Sequence, residues 1–257
     1  MVTEQRSGAL RRALEAEALK LKHTLALWMC VIAPAVVVLL QVLQLLLHQG
    51  SAEAVAGDVW AGFGRAVLAL WSFLMLPLFV TLQAALLAAL DHQERRWKHL
   101  LALPLPRSVH LAAKALLLAA LLALATVLLV FVLIPLCGQL LRLRPSLSVS
   151  GWPDLAALAA LAAQVYAASL LMLALQMVVA LHWRSFTVAV AVGMSATVMG
   201  FLIGQSATWG AWFPWTMAVQ PMTRHPQPGT VVLVSVVGAV LVTAVGAWAF
   251  GRREDAG

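Results

Sequence analysis

A chain of 257 residues that is 63% hydrophobic and only 11% charged, with a mean hydropathy of +0.93, lies outside the range of a soluble globular domain. Its net charge of +7 does not point to nucleic acid, because the basic residues cluster at the ends of apolar runs, where they set topology and meet anionic headgroups. The composition predicts an all-α, polytopic membrane protein that has membrane lipids, and no nucleic acid, among its partners.

Residues 1–23 form a charged leader in which Leu10, Leu14 and Leu21 recur at spacings of four and seven, with Arg11, Arg12, Lys20 and Lys22 available to the polar side. The spacing predicts an amphipathic helix at the inner interface; the plainer alternative is a solvated leader. The apolar run that follows, Thr24 to Leu47, exceeds a signal-peptide core of roughly 7 to 15 residues. It is expected as a retained span, although Ala52, Ala54 and Ala56 give a cleavage-like pattern.

A spanning helix needs about 20 mainly apolar residues, and five further runs meet that rule: Ala61 to Leu90, Ser108 to Ile134, Leu155 to Leu181, Phe186 to Ile203 and Thr230 to Phe250. The six-helix transmembrane domain therefore covers residues 24–250, with a tail at 251–257. The second, third and fourth runs are longer than one bilayer requires, so they are expected to tilt or to project beyond the hydrocarbon.

Between the second and third runs lies a polar island, Asp91, His92, Gln93, Glu94, Arg95, Arg96, Trp97, Lys98 and His99. Pro104 and Pro106 stop it, since proline lacks an amide donor and disfavours helical geometry in the residue before it. The pattern predicts a short helix over 91–103. Between the last two runs, at about 205–229, Trp209, Trp212 and Trp215 interleave with Gly210 and Pro214. Such aromatics favour the headgroup zone, either as an ordinary aromatic belt in a loop or as a hairpin re-entering the membrane from the outer side.

Charge sets the orientation. Five Lys and Arg residues lie in the leader (Arg6, Arg11, Arg12, Lys20, Lys22), five in the 91–114 region, one at Arg184 and two at the C-terminus, all on one face of a six-span chain. The opposite face has only Arg65, Arg142, Arg144 and Arg224. The bias predicts both termini and the island in the cytoplasm.

The inventory of reactive groups is sparse. Mid-span segments have no carboxylate with which to couple a proton or sodium ion. No HExxH, GxSxG or paired intramembrane aspartates suggest a protease or lipid hydrolase, and no GxxxxGK[ST] loop cradles a nucleotide. Cys30 and Cys137 lack CxxC spacing and nearby histidines, and His92 and His99 are read as solvated interface residues, so no metal, catalytic or cofactor site is expected in this chain. Gln83, Gln164, Gln176 and Ser169, set in apolar spans, are expected to pack between helices.

Four segments carry a family resemblance. Glu17 to Thr24, EALKLKHT, precedes the first span; Trp71 to Val80, WSFLMLPLFV, has an aromatic start and a mid-span proline. Glu94 to Lys114, ERRWKHLLALPLPRSVHLAAK, joins an acidic residue, a basic helix, a proline turn and a lysine entering the third span, and Trp212 to Pro221, WFPWTMAVQP, precedes the last. In this order they resemble the membrane subunits of ABC exporters of the ABC-2 type, particularly the permeases associated with lantibiotic and bacitracin immunity.

The resemblance implies a permease subunit in the bacterial cytoplasmic membrane, moving a hydrophobic or amphipathic cargo such as a peptide antibiotic or lipid. It implies partner ABC ATPase subunits, which would hold ATP and Mg, and a second permease copy or homologous permease. The island would then be the coupling helix, with Glu94, Arg95, Arg96 and Lys98 as contact candidates and Trp97 and Leu100 as anchors. A membrane scaffold or sensor, and a membrane-embedded lipid enzyme, are the alternatives. The expected protein is not itself an enzyme.

Overall fold

The computed structural model describes residues 14, 15, 17, 19, 21, 24–47, 59–93, 107–142, 152–183, 185–223 and 228–255. Its helices are α1 (Leu25–Leu47), α2 (Val59–Leu70), α3 (Leu76–Gln93), α4 (Arg107–Leu128), α5 (Ile134–Arg142), α6 (Leu155–His182), α7 (Phe186–Ile203) and α8 (Pro228–Asp255). A π turn at Trp71–Met75 joins α2 to α3, a second at Leu129–Leu133 joins α4 to α5, and a 3₁₀ helix at Met217–Met222 precedes α8. Six spans result, each long and apolar enough to cross a membrane, and no strand occurs among the described residues.

The two π turns share a cause. Each lies just before a proline, Pro77 or Pro135, whose ring would clash in a regular helix with the carbonyl four residues back. That carbonyl belongs to Phe73 or Phe131, inside the π turn in both cases. The wider turn shifts the bonding pattern: Leu76 N–H reaches Trp71 O, and Ile134 N–H reaches Leu129 O. The chain thus stays helical past both prolines. The third span therefore runs on to Arg142, beyond the end at Ile134 expected from sequence.

Local signals fix other ends. Asp154 caps α6 by accepting from the Ala156 and Ala157 amides at 3.1 and 3.0 Å. Ser185 caps α7 after a short turn, and Pro228 opens α8, where its missing N–H has no helical partner to lose. At the other end of the second span, Asp91, His92 and Gln93 continue α3 and do not start a separate element. The rest of the predicted 91–103 helix lies outside the described residues.

The fourth span, α6, is the centre of the bundle, packed against the second, third, fifth and sixth spans and against the 3₁₀ helix. Contacts between helices use small residues. Gly193 of α7 lies against Thr81, Gly138 of α5 under the Trp60 ring, and Gly64 against Leu158, so a side chain at any of them would collide. The core is apolar, with Trp71, Phe79, Leu68, Leu118, Leu122 and Met172 fully buried. The outward faces of α1, α7 and α8 are apolar as well, with Val36, Leu39, Met199, Leu202, Val240 and Val245 exposed, as a lipid-facing surface requires.

Candidate functional site

The end of the bundle from which residues 94–106 emerge is here called proximal. There Lys114, two turns into α4, is completely buried, an unusual place for a lysine. Its ammonium donates to Glu17 Oε2 at 3.0 Å and to the Leu87 carbonyl of α3 at 2.9 Å. Glu17 is itself 96% covered, with a relative exposure of 4%. One charged pair thereby ties together the N-terminal segment, the last turns of the second span and the first turns of the third.

The leader's sequence explains how Glu17 arrives there. Leu14, Glu15, Glu17 and Leu19 are helical, with Glu17 and Leu21 turned inward and Leu19 exposed. Glu17 thus sits on the apolar stripe of its own helix, three residues after Leu14 and four before Leu21. Thr24 closes the turn into α1 by donating to the Leu21 carbonyl at 2.8 Å.

This overturns one part of the charge reading. Lys114 is counted in the sequence with the topology charges that meet headgroups, whereas here it is an interior group with a carboxylate partner. The signal was available: a carboxylate on an apolar stripe, and a lone cation inside a spanning run.

Side chain to backbone bonds join the remaining spans. Gln83 donates to the Ala26 carbonyl of α1 at 2.7 Å, Gln176 to Ala189 of α7 at 2.9 Å and Tyr166 to Ala119 of α4 at 3.1 Å. Ser235 of α8 donates to Ala168 at 2.8 Å and accepts from the Leu171 amide at 3.1 Å. Gln83 and Gln176 thus have the inter-helix role expected of them. Gln164 does not, being exposed, and Ser169 bonds within its own helix, to Tyr166. Cys30 is buried in the core and packs there.

At the distal end, residues 204–223 fold on themselves. Thr216 donates to the Gly210 and Phe213 carbonyls, and Gln220 to Gly210 at 3.2 Å, so this irregular backbone meets much of its own hydrogen-bonding need. Of the sequence candidates here, Trp209 and Trp212 are exposed, while Pro214 and Trp215 are half-buried and Trp215 packs on the core. The contact candidates Glu94, Arg95, Arg96, Trp97, Lys98 and Leu100, and the interfacial candidates Arg11, Arg12, Lys20 and Lys22, lie outside the described residues. Among the described residues no three His, Cys, Asp or Glu side chains gather as metal ligands.

Comparison with curated proteins and with solved structures yields no match. A family model does match: that of the ABC-2 family transporter protein, over residues 13–200, from the helix that carries Glu17 through nearly all of the fifth span. With six spans, a lipid-facing apolar surface and this match over most of its length, the chain is a multi-pass membrane protein that belongs to the ABC-2 family of transporter permeases.

Proposed function

We propose that this chain is the membrane-spanning subunit of an ABC exporter whose ATP hydrolysis takes place on a separate ATPase, and that segment 94–106 is where the two meet. The observation that carries the reading is the Glu17–Lys114–Leu87 clamp. The clamp joins the two helices that flank that segment in sequence, and binds them to the N-terminal helix. A push on 94–106 would therefore move α3, α4 and the leader together.

Two copies, or one copy and a homologous permease, would enclose the pathway. Closure of an ATP- and Mg-loaded ATPase pair would bias them between two arrangements, which requires a binding-energy difference of a few kcal/mol between the states. The spans lack mid-membrane carboxylates, which suits a hydrophobic or amphipathic cargo, and we assign the chain to the peptide-antibiotic immunity branch on the four motifs quoted above. The basic bias supports a cytoplasmic location for both termini and segment 94–106, in the bacterial inner membrane that this reading implies.

The test is co-purification with an ABC ATPase and measurement of lipid-stimulated ATP turnover. Replacing Arg95, Arg96 and Trp97 together by alanine should weaken assembly and lower turnover several-fold. Unchanged assembly and turnover would remove the coupling role from this segment.

A further inference from the structure

A second cationic position lies at the distal end. Arg65 of α2 is exposed, and no carboxylate is paired with it among the described residues. It borders a half-open cavity of about 460 Å³, a size typical of ligand sites, lined also by Ala66 and Ala69 of α2, Leu161 of α6, and Pro221 and Met222 of the 3₁₀ helix. Among the described residues, every lining residue but the arginine is apolar. The arrangement is one charge at the mouth of a greasy cleft formed by three separate elements.

Depth assigns the leaflet. Along the second span, Arg65 lies about 33 Å from Leu87, at 1.5 Å per residue. The hydrocarbon layer is about 30 Å thick. With the clamp at one boundary, Arg65 therefore reaches the headgroups of the opposite leaflet, while Ala69, Leu161 and Met222 lie where acyl chains begin. A guanidinium offers a fork of donors matched to phosphate oxygens.

We propose that this cleft binds one anionic phospholipid of the distal leaflet, its phosphate on Arg65 and the start of an acyl chain along Leu161 and Met222. The net charge of the headgroup follows from the lining. A choline or ethanolamine headgroup carries a cation beside its phosphate, and the described residues lining the cleft include no acidic side chain to receive it. Phosphatidylglycerol has no such cation. The bound lipid would bridge α2, α6 and the 3₁₀ helix, and it does so whether or not the chain transports anything.

The experiment is native mass spectrometry of the full chain in detergent, with phosphatidylglycerol and phosphatidylcholine of identical acyl chains added in competition. The wild-type chain should retain phosphatidylglycerol with a several-fold preference, because the phosphate contact is common to both lipids and the choline cation beside Arg65 separates them. Arg65→Gln should lose that preference, Arg65→Lys should keep most of it, and Leu161→Trp, which fills the cleft, should release both lipids. Arg252→Gln, which removes an exposed cation stacked on Trp248 near the C-terminus, should behave as wild type. Equal preference in wild type and Arg65→Gln, or retention in Leu161→Trp, would overturn the site. Displacement of the lipid by millimolar inorganic phosphate would show that the position reads a free anion, and would overturn the lipid assignment.

Discussion

The buried pair gives the sharpest stability prediction. Glu17→Gln removes one charge and leaves the Lys114 ammonium, fully buried, facing a neutral amide and the Leu87 carbonyl. Breaking a buried pair from one side costs about 3–5 kcal/mol, because the remaining charge has lost its counterion and has no water to replace it. At about 2–4 °C per kcal/mol for a chain of this size, the apparent melting temperature should fall by roughly 6–20 °C. Lys114→Met should fall by less, since the stranded carboxylate belongs to the leader helix, which can swing outward to water. The double variant Glu17→Leu with Lys114→Met should return to within a few degrees of wild type, because replacing both charges by apolar groups is near neutral. Thermal denaturation followed by fluorescence-detected size exclusion in one detergent compares all three. A Glu17→Gln protein that melts with wild type would mean that water reaches the ammonium and that the clamp contributes little. A double variant no more stable than Glu17→Gln would mean that the two residues do not interact.

Other positions give independent checks. Gly193→Leu drives a side chain into Thr81 where the second and fifth spans cross, and should cost about 1–3 kcal/mol in the same melting assay. Ser235→Ala removes the bonds to the Ala168 carbonyl and the Leu171 amide and should cost about 0.6 kcal/mol, with an upper bound near 1.7 kcal/mol, in the same melting assay. A cysteine introduced at Glu53 should react with an impermeant maleimide added to whole cells, and one introduced at Glu94 should not. The reverse pattern would invert the assigned orientation.

The six spans were legible because each is a mainly apolar run long enough to cross a bilayer, a signal that needs no tertiary information. Helix ends were less so. Pro135 reads as a stop, yet the π turn before it absorbs the clash, and a proline by itself does not announce which response the helix will make. Gln83 and Gln176 were readable as glue because an amide in an apolar span has few other partners. Ser235 and Tyr166, which do the same work, were passed over, since serine can satisfy itself within its own helix and a lone tyrosine is ordinary at a span surface. Glu17 and Lys114 lie far apart in sequence, and each has a local explanation as a topology or interface charge. Their meeting beside Leu87 of α3 shows that both explanations are incomplete.

The clamp and the two π turns together constrain how a force at segment 94–106 could travel. The proximal halves of the second and third spans, α3 and α4, are joined by Lys114 across to Leu87 and should move as one unit with the leader. Each is followed toward the distal end by a proline-associated π turn, a place where helices bend most readily. Both π turns pack on α1, so the first span offers a common bearing surface. A rigid proximal unit with paired flexible joints against one helix favours rocking about those joints over a sliding of whole spans. Pro77→Ala with Pro135→Ala, which removes the reason for both joints, should therefore leave the melting temperature equal to wild type or higher while reducing lipid-stimulated ATP turnover of the assembled complex. Full turnover in that variant would place the moving joint elsewhere and leave the π turns as purely steric accommodations of proline.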